Sequence, residues 1–104
     1  MKKHMHTKVV GISFQKGINE LIESNKVKVG DVILLYPEKD NKYDSNAIMV
    51  YTIKNIKLGY LSRKTAKNIS KRLASGKEYL VTIANITGDG NKKSYGINIR
   101  IEDK

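Results

Sequence analysis

The chain predicts a small, mostly antiparallel β-barrel carrying one well-formed α-helix. Apolar residues alternate with polar ones in short runs bounded by Gly, Asn, Asp and Pro, and one segment alone sustains a capped helical period. The strand-helix-strand alternation that builds parallel sheets is missing. At 104 residues, with 39% hydrophobic and 29% charged, the composition suits one domain with a single modest core. There is no cysteine, so neither disulfides nor a thiolate metal site holds the fold, and a reducing cytoplasm is the expected location.

The elements follow in order. Met1, Lys2, Lys3, His4, Met5 and His6 are basic without a following apolar stretch, so residues 1–6 are expected to be a flexible terminus ahead of a single domain at 7–104. Residues 7–13 are rich in β-branched side chains and read as a strand in which Gly11 marks a bulge or a close backbone approach. Ile18, Leu21 and Ile22 have helical spacing, giving a short helical turn over 18–24. Residues 32–36 are a continuous apolar run, expected to be a strand buried on both faces and ended by Pro37. Residues 46–53 and 56–61 pair as a hairpin turning at Lys54 and Asn55, and 79–86 with 95–101 form a second hairpin around a glycine-rich loop at 88–93. Between the hairpins lies the helix, over 62–75. Ser62 is placed to cap it, Gly76 lies just beyond it, and Ala66, Ile69 and Leu73 form its apolar stripe. About six strands and one packed helix, closing on themselves to cover their edges, suit a barrel of the OB type, a scaffold that stacks bases on surface aromatics in a basic groove.

Charge narrows the function. Lys and Arg number 20 against 10 acids, a net charge of +10, which is the footprint of a protein that meets a polyanion. No acid occurs between Asp44 and Glu78, while eight Lys or Arg residues do. On the helix, Arg63, Lys64, Lys67 and Lys71 project into an arc of about 100° opposite the apolar stripe. A solvated amphipathic face is the ordinary explanation for such a run. Here the helix has no acid to form i,i+4 pairs, so contact with phosphates is the better one.

Asp40, Asn41, Lys42, Tyr43, Asp44, Ser45 and Asn46 place turn-forming polar residues and one aromatic directly before a β-branched strand. Tyr43 has no apolar periodicity around it to bury it, which suits a ring that stacks on a flat ligand. Asp44 and Asn46 have side chains that both cap turns and reach ligands; Asn46 is assigned to structure.

Together these segments resemble the HIRAN domain family. Val9-Val10-Gly11-Ile12-Ser13-Phe14 is similar to its opening strand. Gly30-Asp31-Val32-Ile33-Leu34-Leu35 with Pro37-Glu38-Lys39-Asp40-Asn41-Lys42-Tyr43-Asp44-Ser45-Asn46-Ala47-Ile48 is similar to its signature loop, and Gly59-Tyr60-Leu61-Ser62-Arg63 with Ala66 to its helix start. The match runs from Val9 to about Ile101. It implies a modified OB-like barrel that, in eukaryotic DNA-remodelling and repair members, captures the 3′-hydroxyl end of single-stranded DNA. Carried over residue by residue, Phe14 and Tyr95 would stack on terminal bases, Asn41, Tyr43 and Asp44 would form the end pocket, and Tyr60 and Arg63 would hold phosphates. Asp44 suits its role because a carboxylate accepts a hydrogen bond from a hydroxyl and repels a terminal phosphate. Departures from the family pattern are Ser13, where an Arg is expected, and Lys42, where the loop often carries Pro. Phe14 is equally compatible with a core position, and Tyr60 with packing against the helix.

The expected function is therefore noncatalytic binding of single-stranded DNA, or RNA, by a basic, stand-alone module of bacterial type with no cofactor, metal or membrane span. Helicase or nuclease proteins acting on the same DNA are the expected partners, because the chain has no phosphate-binding loop of its own. Two alternatives stand beside it: a small metal-dependent nuclease using Asp40 and Asp44, and an adaptor whose basic face docks on an acidic protein.

Overall fold

The computed structural model describes residues 3–12, 17–88 and 95–104. Among them the order is β1 (His4–Val10), α1 (Ile18–Glu23), β2 (Ile33–Pro37), β3 (Ile48–Thr52), β4 (Lys57–Leu61), α2 (Arg63–Ala74), β5 (Tyr79–Thr87) and β6 (Gly96–Asp103). The strands form one antiparallel sheet in the order β2-β3-β4-β1-β6-β5. That sheet curls into a half-barrel of the OB-like kind. Its outer strands meet where Val32 bridges Thr82 and where Gly30 and Ile83 exchange backbone bonds with the facing segment, Gly30 N donating to Ile83 O at 2.8 Å and Ile83 N to Asp31 O at 2.9 Å.

Alternation aims one side chain in two at the core. Ile33, Ile48, Val50, Leu58, Leu61, Val81, Ile83, Ile97, Ile99 and Ile101 are buried, joined by Ala66 and Ile69 from α2 and Ile18 from α1. Strand stiffness from so many β-branched residues suits a pleated surface. Helix α2 begins as its sequence expects: Ser62 Oγ accepts from Thr65 N at 3.3 Å and donates to Thr65 Oγ1 at 3.0 Å. Thr65 Oγ1 in turn lies 3.0 Å from Thr7 Oγ1, tying the helix start to β1.

Three expectations are corrected. The terminus expected to be flexible through His6 is in β1 from His4 onward, paired His4 to Glu102 and His6 to Arg100; a partner strand nearly a hundred residues away supplies that order. The run at 32–36 is not buried on both faces. The half-barrel has only one covered side, so Ile33 is buried while Val32, Leu34 and Tyr36 stay exposed. The turn after β3 is wider than a two-residue one: Asn55 takes a positive φ of 68°, and the buried Thr52 accepts from Ile56 N through its hydroxyl at 3.1 Å. Most of the loop expected at 88–93 falls outside the described residues.

Candidate nucleic-acid interface

The loop between β2 and β3 is built from its own polar side chains. Glu38 N donates to Ala47 O at 2.8 Å and Ala47 N to Asp44 O at 3.0 Å, closing its base. Inside it, Asn41 Oδ1 accepts from both Tyr43 N (2.8 Å) and Asp44 N (2.9 Å), while Asp44 Oδ1 accepts from Asn46 N (2.9 Å). These nested turns replace a backbone ladder that the loop lacks. They hold the Tyr43 side chain outward, 86% exposed. Among the described residues the second carboxylate oxygen of Asp44 carries no hydrogen bond, so an acceptor is left over. Asn46 has a structural role: its Oδ1 accepts from Ser70 Oγ of α2 at 3.2 Å.

Beside this loop runs a charged hydrogen-bond chain. Tyr60 Oη donates to the Glu38 carboxylate, 3.0 and 3.2 Å from its two oxygens, and accepts from Lys57 Nζ at 3.0 Å. Asn41 Nδ2 donates to Glu38 Oε1 at 2.6 Å, and the Lys57 ammonium lies 4.3 Å from the Tyr60 ring centroid. The bonds from Asn41 and Tyr60, with the Lys57 charge, hold the Glu38 carboxyl below the ordinary carboxylate range. Lys57 is pushed up, chiefly by its bond to Tyr60 and further by nearby negative charge. The phosphate-donor role expected of Tyr60 is thereby altered, because its one hydroxyl proton is already directed to Glu38. A bulge in the β3-β4 pairing, where Val50 faces Gly59 but Tyr51 faces Lys57, turns Lys57 and Tyr60 to the same outer side.

Loop, strand and helix start enclose an open cavity of about 630 Å³. Val10 and Gly11 come from the end of β1, Asn41, Tyr43, Asp44 and Ala47 from the loop, Tyr60 and Leu61 from β4, and Arg63 from the first turn of α2. Gly59 makes the close approach of β1 and β4 feasible: at φ 155°, a Cβ there would overlap the Val10 carbonyl oxygen and come 2.9 Å from Val9 Cγ1. Asp44 is the acid of the lining and Arg63 its cation, so the cavity offers an acceptor, a donor and an exposed ring within one concavity.

Five of the residues singled out from sequence, Asn41, Tyr43, Asp44, Tyr60 and Arg63, thus meet in one place. Lys64 and Lys67 are exposed on α2 outside the cavity lining. Tyr95 is not in the lining either; its hydroxyl donates to Glu23 Oε2 at the end of α1 at 3.2 Å. Phe14 lies outside the described residues. Asp40 is exposed and not part of the lining, and no three His, Cys, Asp or Glu among the described residues are grouped to hold a metal. Glu38 and Lys57 were missed as site residues. A second cavity, of about 360 Å³, includes Lys3, His4, Arg72, Lys77 and Tyr79 and none of the expected site residues.

An OB-like half-barrel with an aromatic, an acceptor and a cation in one cleft is the kind of scaffold on which nucleic acid is bound in other proteins. The sequence profile of the HIRAN domain matches residues 2–103, nearly the whole chain. The chain belongs to the HIRAN domain family, a family of DNA-binding domains. Its fold is similar to that of a Lactobacillus plantarum protein of known crystal structure, with a TM-score of 0.74, 23% identity and full coverage of both chains. It is also similar to the HIRAN domain of human HLTF, with a TM-score of 0.71 and 18% identity for the crystal structure, over 97% of this chain and 76% of that one. The NMR structure of the same HLTF domain gives a TM-score of 0.61 at 16% identity, over 98% of this chain and 76% of that one. Among curated proteins no relative matches. No helix among the described residues is long and apolar enough to cross a membrane.

Proposed function

We propose that this chain is a noncatalytic module that captures the free 3′-hydroxyl end of single-stranded DNA in the cavity between the β2-β3 loop and the start of α2. One observation carries the reading: the exposed Tyr43 ring, the spare Asp44 acceptor and Arg63 line a single concavity. The terminal base stacks on Tyr43, the hydroxyl donates to Asp44, and Arg63 meets the preceding phosphate as a charge-assisted donor. A terminal phosphate would bring like charge against Asp44, and a strand without an end could not enter. Lys64 and Lys67 extend the cationic surface along α2, where they attract the strand without reading its end. Any helicase or nuclease activity on the same DNA belongs to partner proteins.

The test is titration of the full chain with a labelled oligonucleotide bearing a 3′-hydroxyl, its 3′-phosphate form and a circular strand of equal length. End capture requires weaker binding of the last two and a further loss with Asp44→Ala for the hydroxyl form alone. Equal affinity for all three would leave plain groove binding. Cleavage on adding magnesium, abolished by Asp40→Ala, would make the chain a nuclease, and indifference to DNA would make it an adaptor.

A further inference from the structure

The two halves of the curled sheet differ on their outer surfaces. Over β1, β6 and β5 the outward residues are mostly polar or charged, His6, Lys8, Thr82, Asn98, Arg100 and Glu102, with Leu80 and, at the cavity, Val10 as the apolar exceptions. Over β2, β3 and β4 they are Leu34, Tyr36, Met49, Tyr51, Lys57 and Tyr60. Barrel folding asks for no aromatics there, since the core lies on the other side. Tyr36 is 42% exposed and Leu34 37%. The Tyr36 and Tyr51 rings pack edge to face with centroids 5.3 Å apart.

We propose that this outer face is a second nucleic-acid subsite, a stacking platform for the bases upstream of a strand whose end enters the cavity. The inference extends the end-capture reading and rests on it for direction along the strand. Continuity is the first support. Tyr60 lines the cavity and faces Met49 in register, Met49 faces Tyr36, and Lys57 faces Tyr51. From β4 to β2 the path crosses two strand spacings, about 10 Å, with an aromatic side chain on each strand. Charge is the second. Lys57 stands between Tyr60 and Tyr51, its protonated form favoured by its surroundings, and Glu38, the acid beside it, is already bound by Tyr60 and Asn41. Rings interleaved with a fixed ammonium fit bases and a phosphate backbone in a way that tolerates sequence, because every base has a π-face. An apolar protein partner would have no use for that cation at the centre.

The experiment compares a trinucleotide and an octanucleotide, both with free 3′-hydroxyls, on the wild-type chain and on Tyr36→Ala/Tyr51→Ala. Loss of one stacking ring corresponds to about 5- to 150-fold. For these half-exposed rings the expected result is a loss of about 10-fold for the octanucleotide and little change for the trinucleotide. Tyr36→Phe/Tyr51→Phe keeps the rings, so it keeps the affinity and controls for folding. Unchanged octanucleotide binding in the alanine variant, or an equal loss in the phenylalanine variant, overturns the platform. The two readings separate cleanly: a 3′-phosphate that binds as well as the hydroxyl removes end capture, while a length-dependent loss in the alanine variant still upholds the platform.

Discussion

Replacing Asn41 by Ala removes the side chain that organises the candidate site. Its Oδ1 accepts from Tyr43 N and Asp44 N, and its Nδ2 donates to Glu38. Each backbone bond contributes about 0.5–1.5 kcal/mol net, and solvent reaches this half-exposed loop, so about 1–2 kcal/mol of local order is lost for the pair. That corresponds to a factor of about 5–30 in the local opening equilibrium. Amide hydrogen exchange at Tyr43 and Asp44 reads it directly, with Ile99 in the core as an internal standard that stays protected. Affinity for a single-stranded end should fall by a similar factor, since the cost of ordering the loop moves into the binding step. Asn41→Asp separates the two functions of the side chain. It keeps the double acceptor but replaces the Nδ2 donor to Glu38 with a second carboxylate, so Tyr43 and Asp44 remain protected while the bond to Glu38 is lost. If Asn41→Ala left exchange at Tyr43 and Asp44 unchanged, the view of this loop as a side-chain-built scaffold would be wrong.

Further predictions concern the surroundings of the site. Gly59→Ala should destabilise the fold by about 3 kcal/mol or more, because backbone strain adds to overlap with the Val10 carbonyl; a denaturant midpoint unchanged from wild type would refute the close-approach argument. Ser62→Ala should cost about 1 kcal/mol through loss of the α2 cap, measured by thermal unfolding. Glu38 is held below its ordinary value near 4.5 by the Asn41 and Tyr60 bonds. Its contribution is therefore complete above that pH and disappears as pH falls through the lowered value, so Asn41 side-chain and Tyr60 ring resonances should shift together in an acid titration and stay still in Glu38→Gln. Arg63→Ala should weaken binding and flatten the dependence of log K on log salt by about 0.7, one phosphate's worth for a single strand; an unchanged slope would take Arg63 off the backbone.

Local patterns carried much of the fold. Ser62, the Ala66 and Ile69 stripe and Gly76 delimit α2 from neighbours within a turn or two, and its observed span, Arg63–Ala74, lies inside the expected one. The paired runs around Asn55 and the alternation in 95–101 are equally local. What stayed hidden depends on distant partners. His4, Met5 and His6 become a strand only because β6 offers a free edge. Val32, Leu34 and Tyr36 look buried because continuous apolarity cannot tell a core strand from one with a dry and a wet face. At the site, loop residues 41, 43 and 44 were legible from composition and family pattern, and Tyr60 and Arg63 from the segment that follows. Lys57 escaped because simple alternation puts it opposite Tyr60, and only the bulge between them brings the two together. Glu38 escaped because its role is to accept from Asn41 and Tyr60, contacts reaching 3 and 22 residues along the chain.

The central claim is that Tyr43, Asp44 and Arg63 act as one receptor for a strand end. Amide chemical-shift mapping of the full chain with a 3′-hydroxyl oligonucleotide examines it most directly. The account predicts the largest shifts at Val10, Gly11, Tyr43, Asp44 and Arg63, around the cavity. Shifts confined to Lys64, Lys67 and Lys71 on the exposed side of α2, with Tyr43 and Asp44 unmoved, would contradict it.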